Sequence, residues 1–148
     1  MLVSPPLYAA QIYVDQTATG NNDGSSWADA FISVQTAVNV AVAGDDIYIA
    51  QGTYQEGAEI TISQPINMFG GYPTGGGLQD IENNSTTLDG AHSHRVIKAT
   101  HSTGTLFLEG ITIQNGWVEE EFAKGAGIHS NRDLILQQVI VIKNTKVN

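Results

Sequence analysis

Cysteine is missing from all 148 residues, which excludes disulfides, a thiol nucleophile and cysteine-ligated zinc. That absence does not fix a redox compartment. Basic residues are scarce: six Lys and Arg stand against 15 Asp and Glu, for a formal net charge of −9. Such a balance repels phosphate backbones, so nucleic acid is not an expected partner. It is compatible with a bound cation or an extracellular setting. No apolar run approaches the roughly 20 residues of a membrane-spanning helix, so no membrane insertion is expected. Charged residues of either sign reach only 14%, while hydrophobic residues reach 41% and glycines number 16. A chain so apolar and so periodic is not disordered, and its low charge and abundant glycine suit a turn-rich β protein better than a helical bundle.

The strongest positive signal is an internal echo. Leu106-Phe107-Leu108-Glu109-Gly110-Ile111-Thr112-Ile113-Gln114-Asn115-Gly116 returns as Leu134-Ile135-Leu136-Gln137-Gln138-Val139-Ile140-Val141-Ile142-Lys143-Asn144, a step of 28 residues. Leu106, Leu108, Ile111 and Ile113 fall onto Leu134, Leu136, Val139 and Val141. Each copy reads as two short strands with a kink between them. A strand-built repeat of this length buries its apolar face only by stacking on a neighbour, so it predicts a solenoid.

The rest of the chain agrees. Gln11 to Asp15 reads as a strand with Ile12 and Val14 on one face and Tyr13 on the other. A turn-rich loop follows from Thr17 to Ser26. One helix is expected over about 26–43. Ser26 is its N-cap, Asp29 completes a capping box, and Trp27, Ala30, Phe31, Val34, Ala37, Val38 and Ala41 recur at helical spacing. Gly44 is placed to end it. Asp46 to Ala50 is a strand whose Ile47-Tyr48-Ile49 echoes Ile12-Tyr13-Val14. Further strands are expected at Glu59–Ser63, Ile66–Phe69 (stopping at Gly70-Gly71), Thr86–Asp89, Arg95–Ala99, the Leu106–Asn115 pair, Gly127–Ser130 and the Leu134–Lys143 pair. Tyr72 to Ser85 reads as a long excursion loop. No second helical pattern separates the strands, which disfavours a doubly wound α/β fold. Residues 1–10 read either as a disordered start or as a residual signal-peptide segment, because Leu7-Tyr8-Ala9-Ala10 has the small residues of a cleavage point without a basic n-region.

These residues carry a resemblance. Ile12-Tyr13-Val14-Asp15, then Asn22-Asp23-Gly24-Ser25-Ser26-Trp27-Ala28-Asp29-Ala30-Phe31, then Gly44 through Tyr54 are similar to the opening segment of secreted bacterial right-handed parallel β-helix proteins, the pectin-lyase-like superfamily. Phe69-Gly70-Gly71-Tyr72-Pro73 and Thr87-Leu88-Asp89-Gly90 match the same group. Gly125-Ala126-Gly127-Ile128 and Val141-Ile142-Lys143-Asn144 resemble the short repeats of polymorphic outer-membrane proteins and related adhesins. The resemblance spans roughly residues 11–148. It implies an all-β fold: a right-handed parallel β-helix in a single domain, residues 11–148, with one N-terminal capping α-helix and rungs over about 46–148. It also implies that Trp27 and Phe31 plug the core beneath the cap, a reading preferred over their serving as ligand platforms. Members of the group usually run for many rungs and end in a C-terminal cap, whereas this sequence stops just after a rung. The expectation is therefore either an N-terminal fragment, truncated at its C-terminus, or a short solenoid of about four rungs, with an uncapped last rung able to join a second copy in a homo-oligomer.

Function is less constrained, because one architecture here serves lyases, hydrolases, passenger domains and adhesins. The leading expectation is a non-catalytic N-terminal part of a secreted or cell-surface protein, acting as scaffold, adhesin-like stalk or carbohydrate-binding surface, with polysaccharide as the partner. The competing expectation is the N-terminal fragment of a polysaccharide lyase or glycoside hydrolase whose active site lies on later rungs. No residue is assigned a catalytic or cofactor-binding role. Asp89, His92, His94 and Arg95 form the most polar cluster, read either as a general base with sugar contacts or, in preference, as a solvated corner. Glu119, Glu120, Glu121 and Asp133 are the calcium candidates, set against a plain solvated acidic bulge. In lyases of the resembled group a Lys or Arg takes the proton, and Lys124, His129 and Arg132 are the basic residues near those acids. Asp15, Asn21, Asn22 and Asp23 look oxygen-rich but more simply make turns.

Overall fold

The computed structural model of the protein describes residues 8–119 and 125–147. Among the described residues the regular structure is almost entirely β. Its strands are β1 (Gln11–Val14), β2 (Asp46–Ala50), β3 (Gly52–Tyr54), β4 (Ile60–Ile62), β5 (Asn67–Tyr72), β6 (Thr86–Asp89), β7 (Ile97–Ala99), β8 (Thr105–Glu109), β9 (Ile111–Gln114), β10 (Trp117–Val118), β11 (Ile128–Ser130), β12 (Asp133–Gln137), β13 (Ile140–Ile142) and β14 (Thr145–Lys146), with one helix, α1 (Val34–Val40), between β1 and β2. Strand pairing among the described residues is parallel throughout. The first sheet runs β1-β2-β5-β8-β12, the second β13-β9-β6-β3 and the third β11-β7-β4, with a small β10-β14 pair beside them. Starting with β2, the chain visits the first, second and third sheets in that order, then repeats the circuit.

Register follows the apolar pattern. Ile12 pairs with Ile47, Ile47 with Met68, Met68 with Leu108, and Leu108 with Leu136. Tyr54, Leu88, Ile113 and Val141 form the matching file of the second sheet, and Ile60, Ile97 and Ile128 that of the third. Apart from Leu136 and Val141, which are exposed, these files meet in one core that also takes in Val14, Phe31, Val34, Ile49, Ile62 and Ile66. Burying each such aliphatic side chain stabilises the fold by about 1.5–3 kcal/mol. The kink in the 28-residue echo is a left-handed bend: Gly110 has φ +65 and Gln138, one strand on, has φ +50.

The helix is shorter than expected. Residues 26–33 are not helical, and α1 starts after Ser33, whose hydroxyl accepts from the Thr36 N–H (3.2 Å). Half of the capping box forms: the Asp29 N–H donates to Ser26 Oγ at 3.1 Å, while the Asp29 carboxylate accepts from the Ser26 hydroxyl, also at 3.1 Å. The Asp29 carbonyl, however, accepts from both Asp23 and Gly24 N–H groups at 2.9 Å, and its carboxylate accepts from the Asn21 N–H at 2.8 Å. The turn therefore closes back on the 20–24 loop. Phe31 then pairs with β1, accepting from the Asp15 N–H and donating to the Tyr13 carbonyl, both at 2.9 Å. Gly44 does not end the helix either: Ala41 is already extended, and Gly44 serves a later turn in which the Asp45 N–H donates to the Val42 carbonyl. Val34, Ala37 and Val38 face inward, and α1 packs chiefly on β4, with β1 and β2 beside it.

Two further differences bear on the site. β5 does not stop before Gly70-Gly71 but runs to Tyr72, with a register shift against β2, and the Gly71 N–H donates to Thr86 Oγ1 at 2.9 Å. Trp27 is not a core plug. Phe31 is buried in the core, but Trp27 is half-buried on the outside.

Candidate functional site: an aromatic face on the first sheet

Alternation along a strand sends every second side chain outward. On the first sheet the outward positions carry rings. Tyr13 lies beside Tyr48 in register, with centroids 5.7 Å apart. Tyr48 lies beside Phe69 at 5.5 Å, and Phe69 meets Phe107 at 5.5 Å. Cross-strand aromatic pairs at such distances stabilise a sheet beyond simple burial. Two rings flank the row. Trp27, from the loop before α1, meets Tyr13 at 4.9 Å, and Tyr72, at the end of β5, meets Trp27 and Tyr48 at 5.3 Å each. All six rings are half-buried, so each retains a solvent-facing edge or face.

Polar groups border the rings. The Tyr13 hydroxyl donates to Gln11 Oε1 at 3.1 Å, Gln11 Nε2 donates to the Tyr48 hydroxyl oxygen at 3.4 Å, and Asn67 Nδ2 donates to Asp46 Oδ1 at 2.8 Å. Burial, then the negative charge of Asp46, pushes the Tyr48 hydroxyl above the usual phenol range. Burial likewise pushes Tyr72 up, with smaller contributions from Tyr48, Glu109, Tyr13 and Asp46. Both phenols are thus neutral at physiological pH and act as hydrogen-bonding rims to apolar rings.

The polar cluster expected from the sequence is a structural corner. Asp89 is buried, accepting from the Ala91 N–H (2.7 Å), Gln114 Nε2 (3.0 Å) and Asn115 Nδ2 (2.8 Å). Burial is the largest single influence and opposes its ionisation, but hydrogen bonds from Ala91, Gln114, Asn115 and Gln55 together outweigh it and hold the carboxyl below the usual range. Arg95 Nη1 pairs with Glu59 at 2.7 Å and its Nε donates to the Gly125 carbonyl at 2.9 Å. His92 sits in a left-handed turn, its N–H on the Asn115 carbonyl at 2.8 Å, and His94 Nδ1 meets the Arg95 carbonyl at 2.7 Å.

Of the calcium candidates, Glu119 and Asp133 are exposed, while Glu120 and Glu121 lie outside the described residues, as does Lys124. Among the described residues no group of three or more His, Asp or Glu is set to hold a metal ion. His129 lies in register with Lys98 on the third sheet, and Arg132 is exposed beside Asp133. The loop 15–23 makes turns: Asp15 accepts from the Thr17 N–H and hydroxyl, Asn22 from the Ile32 N–H, and Asp23 from the Ser25 N–H.

Sequence reasoning missed the aromatic face, although its signal was present. Ile12-Tyr13-Val14, Ile47-Tyr48-Ile49, Met68-Phe69-Gly70 and Leu106-Phe107-Leu108 each set a ring between residues that point inward. It also missed His101, which is fully buried. Its Nδ1 donates to the Thr103 carbonyl at 3.1 Å, since a carbonyl can only accept, and its Nε2 has no partner. No family model, curated protein or solved structure matches this chain.

Proposed function

We propose that this protein is a right-handed parallel β-helix of the pectin-lyase-like type, a non-catalytic scaffold of a secreted or cell-surface protein that presents its aromatic face to a polysaccharide. The repeated circuit through three parallel sheets supports the solenoid, and parallel crossovers are right-handed in nearly all proteins. One observation carries the ligand reading: the row Tyr13, Tyr48, Phe69 and Phe107 on the outside of the first sheet, bordered by Gln11, Asp46, Asn67 and Glu109. Sugars present apolar C–H faces and hydroxyl edges, and rings with adjacent amides and carboxylates suit both. The structural engagement of Asp89 and Arg95 supports reading that polar cluster as a corner of the fold and not as a general base with sugar contacts.

The test is electrophoresis through gels containing neutral or acidic polysaccharides. Retardation by at least one of them, lost in a Phe69→Ala/Phe107→Ala variant that keeps its circular dichroism, is the expected result. Equal mobility in every gel sinks the ligand reading.

Association of two copies through the outer strands belongs to the same proposal. Ile135, Leu136, Ile140, Val141 and Ile142 are all exposed, whereas α1 covers the opposite end of the core. A dimer in light scattering that Val141→Asp converts to monomer is expected, and a monomer at every concentration, with or without calcium, rules the association out.

A further inference from the structure

The corner after β9 is built on a reactive pair. Asn115-Gly116 is the one Asn-Gly step in the sequence. Asn115 lies in the left-handed region at φ +55, which asparagine tolerates better than most residues. Gly116 is required for space: a Cβ there would collide with the Ala126 carbonyl and the Asn144 carboxamide. The fold thus sets side by side the two residues most prone to succinimide chemistry. In that reaction the Gly116 nitrogen attacks Asn115 Cγ. The new C–N bond closes a cyclic imide, the bond from Cγ to Nδ2 breaks, and ammonia leaves with the proton that the Gly116 nitrogen gives up. Water then opens the ring at either carbonyl, to aspartate or isoaspartate.

Both parties to that reaction are tied down. The nucleophile, the Gly116 N–H, donates to Asn144 Oδ1 at 2.7 Å. The leaving amide, Asn115 Nδ2, donates to Asp89 Oδ2 at 2.8 Å, and Asp89 is buried. The Asn115 carbonyl accepts from the His92 N–H and the Gly116 carbonyl from the Thr145 N–H, both at 2.8 Å, which fixes the peptides on either side of Gly116. A nitrogen whose proton is held by an acceptor is slow to lose it, and a carboxamide held at its nitrogen cannot swing its carbon toward the chain.

The two ties differ in cover. Asp89 belongs to β6, which is paired on both sides, and it also holds Gln114 and the Ala91 N–H. Asn144 lies 28 residues beyond Gly116, on the outermost circuit, next to the exposed Ile140, Val141 and Ile142. Its Nδ2 donates to the Ile113 carbonyl at 3.1 Å and to the Ile142 carbonyl at 2.8 Å. Edge segments with few buried contacts open locally far more often than the whole fold unfolds. Opening of the 143–146 segment is therefore the step that releases the Gly116 N–H. The product matters to the corner: a carboxylate at 115 sets a second negative group where an N–H donor faced Asp89, and like charges at that distance repel.

We propose that Asn115 is a site of spontaneous deamidation whose rate is set by Asn144, so that the outermost circuit guards the corner beneath it. The proposal does not depend on any ligand of the aromatic face. Native wild type is incubated in mildly alkaline buffer, and its tryptic peptide 99–124, in which Asn115 is the one asparagine, is read for isoaspartate by mass spectrometry. Conversion at Asn115 is at least about tenfold slower than in the same chain unfolded in urea. Asn144→Ala, still folded by circular dichroism, speeds it roughly fivefold, from the loss of one hydrogen bond. Ser33→Ala, which removes the N-cap of the distant α1 at a comparable loss of stability, changes it by less than about twofold. Equal rates in wild type and Asn144→Ala overturn the proposal. So does an equal gain in Ser33→Ala, because the reaction then waits for global unfolding. If Asn144→Ala does not fold, hydrogen exchange in wild type carries the test. The Gly116 N–H then exchanges with the protection of the Thr145 N–H, and protection as high as that of Leu108 overturns the proposal.

Discussion

Leu108 and Leu136 are register partners on adjacent strands, yet Leu108 is fully buried and Leu136 is 43% exposed. Ile113 and Val141 repeat the contrast one sheet away, at 0% and 47%. The two segments share their apolar pattern, their strand pairing and their left-handed bend. They differ in neighbours: β8 and β9 are covered on both sides, by β5 and β6 and by β12 and β13, while among the described residues β12 and β13 are covered on one side only. Sequence pattern thus specifies strand, bend and register, whereas the energy each residue contributes depends on what stacks above and below it.

The largest expected break in that comparison is a pair of truncations. Leu108→Ala costs about 2–5 kcal/mol in urea denaturation, and Leu136→Ala under about 1 kcal/mol, because little surface returns to water there. Equal losses would mean that β12 is covered in solution. Asp89 sharpens the contrast at the corners. Asp89→Ala leaves Gln114, Asn115 and the Ala91 N–H without their acceptor, for about 1–3 kcal/mol at pH 7. Because its folded carboxyl titrates below the ordinary value, its contribution is complete above about pH 4 and declines as pH falls through the depressed folded value. Wild type and Asp89→Ala therefore converge in stability at the acid end, and a constant gap from pH 7 to pH 2 contradicts this. The bends give the next effect. Gly110→Ala forces a side chain into φ +65 with its Cβ 2.8 Å from Ile81 Cγ1, for about 1–2 kcal/mol. Gln138→Gly relieves the matching strain on the outer strand pair and raises stability by up to about 1 kcal/mol. Smallest is Asn144→Ala, about 1 kcal/mol or less, since its bonds to the Gly116 N–H and the Ile113 carbonyl tie down the partly exposed edge. A melting-temperature series over these variants checks the order.

Much of the β framework is legible in the order of the residues. The 28-residue echo matches the observed register of β8 with β12 and of β9 with β13, and the Ile47-Tyr48-Ile49 echo matches the pairing of β2 with β1. Period-2 patterns are robust because a one-residue slip would turn a whole file of apolar side chains to water. The strand Gly52–Tyr54 escapes such reading because it opens on a glycine and has a single inward side chain, Tyr54, so no apolar alternation marks it. The helix is overextended by its spacing because Trp27 and Phe31 happen to fall at helical intervals while serving opposite sides of the fold. Spacing reports a period, not which tertiary partner will claim each residue. The aromatic face is hidden for the same reason: its rings sit far apart in sequence and meet only through the register, and Trp27 arrives from a loop that carries no periodic signal.

Glu56 has a consequence for the order of assembly. Its carboxylate accepts from the Val34 N–H at 2.8 Å and from the Ser33 hydroxyl at 2.6 Å, so the first turn of α1 is closed by a residue beyond β3. A seven-residue helix has too few internal bonds to outlast its own nucleation cost. It cannot wait, preformed, for the sheets to dock. Helix and loop are instead mutually dependent: α1 needs the Glu56 carboxylate to close its first turn, and the segment between β3 and β4 is held in place by the donors that α1 supplies.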